Sequence, residues 1–185
     1  MLKYSKGMMI VPEFWDILDE QRRPMNKLHK RGTPLKKGEF HLVVDIVVIN
    51  TDGRVLIDRR SPKKRNCPNY WEFTSGSVLA GEQSREGALR ELSEELGIKV
   101  DPDSLTLLGS TKLDHRLVDT YMLIMSVDTD ALCLQEDEVA EARLVSLQQL
   151  DEICRTGRTW CRTTLRNYRG IIEDTVDRLK RGKKW

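Results

Sequence analysis

Cysteine is scarce in this sequence, and its spacing argues against both a disulfide framework and a zinc site. The four cysteines include no C-x-x-C pair, and no histidine cluster lies beside them. Isolated thiols of this kind are typical of reduced cysteines in a cytoplasmic protein. With 185 residues, the chain is long enough to bury a hydrophobic core of ordinary size.

Long hydrophobic runs are also absent. The longest apolar stretch, residues 42–49, is interrupted by Asp45 and is too short to cross a bilayer as a helix. Residues 1–12 lack the apolar segment and the small-residue cleavage site of a secretory signal. We therefore expect no membrane partner.

Neither sign of charge dominates. The chain has 31 lysines and arginines against 29 aspartates and glutamates, a formal net charge of +2. Residues 152–184 are rich in basic side chains, but Glu152, Glu173 and Asp177 interleave with them. Mixed signs indicate a solvated helix and not a surface that follows a phosphate backbone, so we expect no nucleic-acid polymer as a partner.

Hydrophobic patterning predicts strands and helices in mixed order. The predicted strands are 14–18, 25–29, 40–50, 55–59, 70–74, 105–108, 117–127 and 142–145, and the predicted helices are 82–96, one that begins near Leu147, and 159–180. This order indicates one α/β or α+β domain. We expect a strand and hairpin extension with a basic connector at 1–38, a central domain at 39–158 and a closing helix at 159–185, with 182–185 frayed.

Three carboxylates share one face of the helix predicted at 82–96. Glu91, Glu94 and Glu95 stand at positions i, i+3 and i+4, which lie on the same side at 3.6 residues per turn. Two such charges about 4 Å apart repel by roughly 4 kcal/mol at an effective dielectric constant near 20. A hard divalent cation such as Mg²⁺, which prefers oxygen ligands, reverses that sign. The cluster predicts one half of a metal site, and a solvated acidic helix face is the alternative.

Two neighbouring features favour the metal site. Glu86 and Arg90 are spaced i, i+4 in the favourable order, so we expect Glu86 to hold Arg90 beside the cluster. The helix also follows a loop bounded by Gly76 and Gly81, and glycine lets the backbone approach a ligand closely.

The segment 76–98 resembles the signature of the Nudix hydrolase family, G-x5-E-x7-R-E-U-x-E-E-x-G-U, where U is a bulky aliphatic residue. Gly76, Glu82 and the run 90–98 match every specified position, and a weaker similarity extends over residues 40–150. The resemblance implies an α/β/α sandwich with a mixed β-sheet. It also implies a loop–helix–loop that holds Mg²⁺ or Mn²⁺.

The resemblance further implies roles for individual residues. It assigns Glu91 and Glu95 as direct metal ligands, Glu94 as a third or water-mediated ligand, and the carbonyl of Gly76 as the group that completes the shell. Arg90 is expected to orient the carboxylates without touching metal. The expected catalytic set is therefore Glu91, Glu94 and Arg90.

Two groups are left with open roles by the resemblance. Glu82 is expected to position the helix or to bind a second ion. The general base differs within the family, and both Glu91 and the acidic run 136–138 are candidates. An exposed acidic loop is the alternative interpretation of that run.

Three further residues are candidates for substrate binding. Arg60 matches an arginine that often meets substrate in related enzymes, and His41 and Phe73 lie on the predicted strands 40–50 and 70–74. The lysines of the basic loop 59–65 would attract an anionic substrate or simply form a basic surface. Structural alternatives also exist for His41, as a satisfied buried polar group, and for Phe73, as a core residue.

These observations predict a Mg²⁺-dependent pyrophosphohydrolase that cleaves a small nucleoside diphosphate-type metabolite by attack of metal-activated water. Residues 15–19 (WDILD) and 30–32 (KRG) also resemble isopentenyl-diphosphate isomerases, which have a cysteine before the opening glycine of the box and a histidine after it. Ser75 and Ser77 occupy those positions here, so we expect no isomerase activity. A non-catalytic ligand-binding module is a third interpretation. Many relatives dimerise, which makes a homodimer an open expectation.

Overall fold

The computed structural model of the protein describes residues 12–182. Two sequence-based expectations, the missing secretory signal at 1–12 and the frayed end at 182–185, therefore fall almost wholly outside the described residues. The strands are β1 (Phe14–Leu18), β2 (Pro24–Lys30), β3 (His41–Asn50), β4 (Val55–Arg60), β5 (Trp71–Glu72), β6 (Thr74–Ser77), β7 (Leu105–Leu113), β8 (Arg116–Met125) and β9 (Val139–Val145). The helices are α1 (Ser84–Leu96), α2 (Leu147–Thr156) and α3 (Cys161–Lys180).

A mixed sheet forms the centre of the molecule. Seven strands take part, with the path β5-β4-β3-β8-β7, while β6 pairs with β3 and β9 pairs with β4. The central strands β3 and β8 run parallel over their full length, from the His41–Arg116 pair to the Asn50–Met125 pair. The other pairings in this sheet are antiparallel. The predicted α+β class with a mixed sheet is confirmed.

Two hydrophobic cores lie on opposite faces of the sheet, because the side chains of β3 alternate between them. Val44 and Ile46 pack with Leu92 and Leu96 of α1. Val47, by contrast, belongs to the core formed with α3. Helices therefore cover both faces, as the predicted sandwich requires. Among residues 12–182, no helix is both long enough and apolar enough to cross a membrane.

The hairpin β1–β2 forms a separate two-stranded sheet. It joins the main sheet through an isolated bridge between Leu18 and Phe40, whose amide nitrogens each lie 2.9 Å from the other's carbonyl oxygen. Arg22, in the hairpin turn, donates to the buried Asp119 of β8 at 2.8 Å. These contacts place β1 beside the first residues of β3.

Several predicted strand boundaries were wrong: β9, predicted at 142–145, begins at Val139, and β8, predicted at 117–127, ends at Met125. Two further differences have identifiable reasons. The strand predicted at 105–108 continues to Leu113, because the sheet absorbs Gly109, with φ of 157°, as an irregularity in the β7–β8 register. The strand predicted at 70–74 is interrupted at Phe73, so that β5 pairs with β4 and β6 pairs with β3.

Candidate active site

Helix α1 starts and stops through local capping. The amide of Gln83 donates to the carboxylate of Glu86 at 2.7 Å, and the Gln83 side chain accepts from the third helical residue in return. Gly97 ends the helix in the left-handed conformation, with φ of 72°. Glu86 is therefore occupied by the helix cap. The expectation that Glu86 holds Arg90 was wrong.

Arg90 instead holds the carboxylates of the signature segment together. Its guanidinium donates to Glu82 Oε1 at 2.8 Å, to Glu91 Oε1 at 2.8 Å and to Glu94 Oε2 at 3.0 Å. It also donates to the carbonyl of Ser77 at 2.9 Å. Burial disfavours the charged guanidinium, but these carboxylates outweigh burial and raise the pKa of Arg90. The arginine lies where an orienting residue is expected.

Gly76 lies against the carboxylate of Glu91. A Cβ atom at position 76 would stand 2.0 Å from both Cδ and Oε1 of Glu91, far inside van der Waals contact. The pairing of Gly76 with Val44 on β3 fixes this approach. Only glycine leaves room for the carboxylate here, and its absent side chain forms part of the cradle.

The two innermost glutamates of α1 are buried. Glu91 and Glu95 expose only 9% and 8% of their surface, whereas the side chain of Glu94 is 54% exposed. Burial raises the pKa of Glu91 despite the neighbouring Arg90. Burial, then the charges of Asp58 and Glu91, raise the pKa of Glu95 well above its usual value. Adding positive charge here would relieve an unfavourable accumulation of carboxylates.

Two more carboxylates stand behind Glu95 that the sequence analysis missed. Asp58 and Glu72 are paired across β4 and β5, and each has one buried oxygen without a hydrogen-bond partner in the described structure. Arg60 donates to the other oxygen of Glu72 at 2.6 Å. The sequence offered one signal, an acidic residue, Asp58, within an otherwise apolar strand. Its contact with Glu72, however, depends on the register of β4 with β5.

The acidic donor set suits a divalent cation. Within residues 12–182, no three acidic, histidine or cysteine side chains already stand in a metal-binding arrangement, and Arg90 takes oxygens of Glu91 and Glu94 instead. The available donors are nevertheless all oxygens, which Mg²⁺ and Mn²⁺ accept. The Gly76 cradle and the crowded carboxylates beside it fit a cation that would share Glu91 with the arginine.

A cavity of about 270 Å³, here called the carboxylate cavity, opens over this cluster. Glu91, Glu94 and Glu95 line it together with Arg90 of the same helix and with basic side chains from other parts of the chain, namely Arg31, Arg60, Lys64 and Arg116. Gly76 and Ser77 also line it. One cavity thus combines carboxylates that could hold a cation with cations that could hold a phosphate.

The predicted substrate residues occupy different places. Arg60 and His41 line the carboxylate cavity, and the His41 ring stacks on Trp15 with centroids 3.9 Å apart. Burial, then the charge of Arg116, lowers the pKa of His41 to about 4. Phe73 is 2% exposed, packs in the core beneath α3 and lines a second, adjoining cavity.

The acidic run 136–138 pairs with the basic loop. Lys63 donates to Asp137 at 2.6 Å, and Lys64 forms an ion pair with Glu138. Glu136 and Asp137 are exposed, whereas Glu138 is half-buried and lines the carboxylate cavity. Of the run, Glu138 is therefore the member placed where a general base could act.

Trp160, which the sequence analysis did not single out, stands between the two cavities. It lines both and precedes α3, where its amide donates to the carbonyl of Trp71 at 3.0 Å. The guanidinium carbons of Arg60 and Arg116 lie 5.6 and 5.5 Å from its ring centroid. No local pattern could have indicated this residue, because its neighbours come from β4 and β8.

Comparison with known proteins gives consistent results. Residues 39–166 match the family described as NUDIX domain. An uncharacterised Nudix hydrolase of Listeria monocytogenes is 38% identical over 146 residues, which cover 78% of this chain and 86% of that protein. An isopentenyl-diphosphate Delta-isomerase of Kocuria rhizophila is 35% identical over 95 residues, 48% of this chain and 50% of the isomerase. The crystal structure of DR0079 from Deinococcus radiodurans, 22% identical, covers 79% of this chain and 91% of its own with a TM-score of 0.67, which shows the shared fold.

Proposed function

The chain belongs to the Nudix family, and from that membership we propose that it hydrolyses a diphosphate linkage in a nucleoside diphosphate-type metabolite, using Mg²⁺ or Mn²⁺. One observation carries the proposal. The carboxylate cavity joins Glu91 and Glu95 to a set of arginines that belong to other elements. A diphosphate bridged to those glutamates by divalent cations would complement both kinds of charge.

The residues that would hold the cation are Glu91, Glu94, Glu95 and the carbonyl of Gly76. Bound divalent cations supply polarisation of phosphoryl oxygens and a water that loses its proton more readily. Arg90 keeps Glu91 and Glu94 in place through its two hydrogen bonds to them. Holding these groups fixed before the substrate arrives lowers the reorganisation that reaction would otherwise require.

The remaining cavity residues would bind the substrate and remove a proton. Arg60 and Arg31 offer planar guanidinium groups that suit phosphate oxygens. Either Glu91 or Glu138 would accept the proton of the attacking water. Glu138 would first have to part from Lys64, its ion-pair partner.

A substrate panel with Mg²⁺ or Mn²⁺ tests the proposal. The protein is incubated in ¹⁸O-labelled water with nucleoside diphosphate conjugates, dinucleotides, nucleoside triphosphates and prenyl diphosphates. The masses of both products are then measured by mass spectrometry. Hydrolysis places the label on one phosphorus and identifies the bond that breaks. No cleavage of any compound, with tight binding of one, would support a non-catalytic module instead.

The variant Glu95→Gln should abolish turnover while the circular dichroism spectrum stays unchanged, because the amide removes a negative charge with little change in shape. Glu152→Gln makes the same substitution on the exposed surface of α2 and should retain full activity. A Glu95→Gln variant as active as the parent would reject the assigned ligand set.

The partial likeness to an isomerase motivates one further arm of the panel. Pure protein is incubated with isopentenyl diphosphate, and the allylic isomer is sought by chromatography. We expect none, because Ser75 and Ser77 stand where the isomerases have cysteine and histidine. Formation of the isomer would overturn the expectation that the protein has no isomerase activity.

A further inference from the structure

A second cavity of about 330 Å³ adjoins the carboxylate cavity and is here called the threonine cavity. The two cavities share Val43, Ser75, Arg116 and Trp160 as lining residues. A molecule whose diphosphate lies over Glu91 would therefore extend its attached group past Trp160 into the threonine cavity. Together the cavities reach the size typical of small-molecule sites.

The threonine cavity is lined by hydroxyl groups, by apolar side chains and by charged side chains, the last being Asp45, Glu72, Arg116, Arg162 and Arg166. Its hydroxyl-bearing residues are Ser75, Thr111, Thr120, Thr159, Thr163 and Thr164. Phe73 and Val118 are among its apolar residues, and the Trp160 ring is 39% exposed. Aromatic and apolar side chains among many hydrogen-bonding groups suit a polar heterocycle better than a hydrocarbon chain.

Asp45 is the most informative residue of this cavity. It sits in the middle of β3 and is enclosed by protein, yet it keeps accessible surface because it lines the cavity. Thr164 of α3 donates to its Oδ2 at 2.8 Å, and the Ser75 hydroxyl hydrogen-bonds to it from the neighbouring strand. Within the described residues no lysine or arginine forms an ion pair with Asp45.

A carboxylate has about four lone-pair sites, so two hydroxyl donors leave Asp45 with acceptor capacity to spare. The charge of Arg116, which lines the same cavity, acts on Asp45 without forming an ion pair with it, and an enclosed carboxylate held only in this way is costly unless further donors reach it. A purely structural role, in which Asp45 connects β3 to α3 through a hydrogen bond, explains the Thr164 contact. It does not explain why a charged residue lines a cavity at this point.

We propose that the threonine cavity binds the nucleobase of the substrate and that Asp45 selects bases with an exocyclic amino group. This inference rests on the proposed function, since it assumes a nucleotide whose diphosphate lies in the carboxylate cavity. An amino group donates to the carboxylate, whereas a keto oxygen at the same position meets it with repulsion. Asp45 is thus a specificity-determining residue on the opposite side of the sheet from the α1 core.

The test measures binding of AMP and IMP by isothermal titration calorimetry. AMP carries an amino group on C6 of its base, where IMP carries an oxygen together with a hydrogen on the neighbouring N1. We expect AMP to bind about tenfold or more tightly than IMP, the factor that a hydrogen bond to a charged group supplies. The pair CMP and UMP makes the same comparison on a pyrimidine. Equal affinities within both pairs, or no binding at millimolar concentration, would overturn the proposal.

The variant Asp45→Asn distinguishes a role in selecting the base from a purely structural role in connecting β3 to α3. Its amide oxygen still accepts from Thr164, while its amide nitrogen donates toward the cavity. The AMP preference should therefore disappear or reverse. Asp119→Asn, a matched change at a buried aspartate of β8 outside both cavities, should keep the preference. An unchanged preference in Asp45→Asn would contradict the assignment, and the comparison of nucleotides on the unaltered protein stands even if the variant fails to fold.

Binding and hydrolysis are measured on the same preparation, which keeps the two proposals apart. Turnover without amino selectivity rejects the role of Asp45 alone. Selective binding without turnover of any conjugate rejects the hydrolase alone.

Discussion

Replacing Gly76 with alanine tests the geometry of the site with a single methyl group. The added Cβ would stand 2.0 Å from Cδ of Glu91, whereas ordinary contact begins near 3.4 Å, so the carboxylate must retreat by about 1.4 Å. The retreat also breaks its 2.8 Å hydrogen bond with Arg90. A misplacement of about 1 Å can cost roughly a hundredfold in rate, so kcat/KM should fall at least that far.

Stability should also fall, by an amount comparable with the loss of about 2.7 kcal/mol that a hundredfold fall in rate represents. Losing one charge-assisted hydrogen bond costs about 1.5–3 kcal/mol. Urea denaturation can measure a change of this size in the free energy of unfolding. Gly170→Ala is the matched control, because a Cβ there meets nothing within 4 Å and position 170 lies inside α3. It should leave kcat/KM unchanged and raise the free energy of unfolding by about 0.5–1 kcal/mol. If Gly76→Ala hydrolysed the panel's best substrate at the parental rate, Glu91 could not be a fixed metal ligand.

Three other predictions concern Arg90, His41 and the core. Arg90→Lys should lower kcat/KM by tenfold or more in the same assay, since one ammonium cannot reproduce the forked contacts with Glu82, Glu91 and Glu94; parental activity would contradict its orienting role. The pKa of His41 falls from 6.5 to about 4 on folding. Between these two pH values the unfolded chain therefore binds more protons than the folded one, and acidification lowers the free energy of unfolding by up to about 1.4 kcal/mol per pH unit. His41→Gln should remove this contribution in urea titrations between pH 7 and pH 4.5, and identical pH dependence in both proteins would disprove it. Leu92→Ala should lower the free energy of unfolding by about 2–5 kcal/mol, because this side chain is fully buried, and a loss under 1 kcal/mol would show a more adaptable core.

The parts of the site that the sequence predicted are those fixed by local geometry. Glu94 lies three residues after Glu91 and four after Arg90, so helical periodicity alone places it beside both. The same local rule failed for Glu86, because it ignores the competing demand of an unpaired amide at the helix start. Sequence spacing shows which partners are within reach, and the folded structure decides which contact forms.

The parts that the sequence analysis missed depend on contacts between distant segments. Asp58 meets Glu72 only through the register of β4 with β5, and Trp160 meets Arg116 across 44 positions of chain. Phe73 shows the same limit in another form. Its hydrophobic character made core burial one of the two expected roles. The cavity that it lines follows from its position between β5 and β6, which the sequence did not reveal.

The parallel pairing of β3 with β8 has a consequence for how the molecule assembles. His41 finds its strand partner 75 positions later, at Arg116, and the intervening chain contains the entire signature helix. Closing so long a loop costs conformational entropy before any contact repays it, and such topologies fold slowly. During synthesis the acidic helix therefore leaves the ribosome before the central strand pair can close. Until then its apolar stripe has only part of a sheet to cover it, and apolar surface exposed in this way favours aggregation of the growing chain.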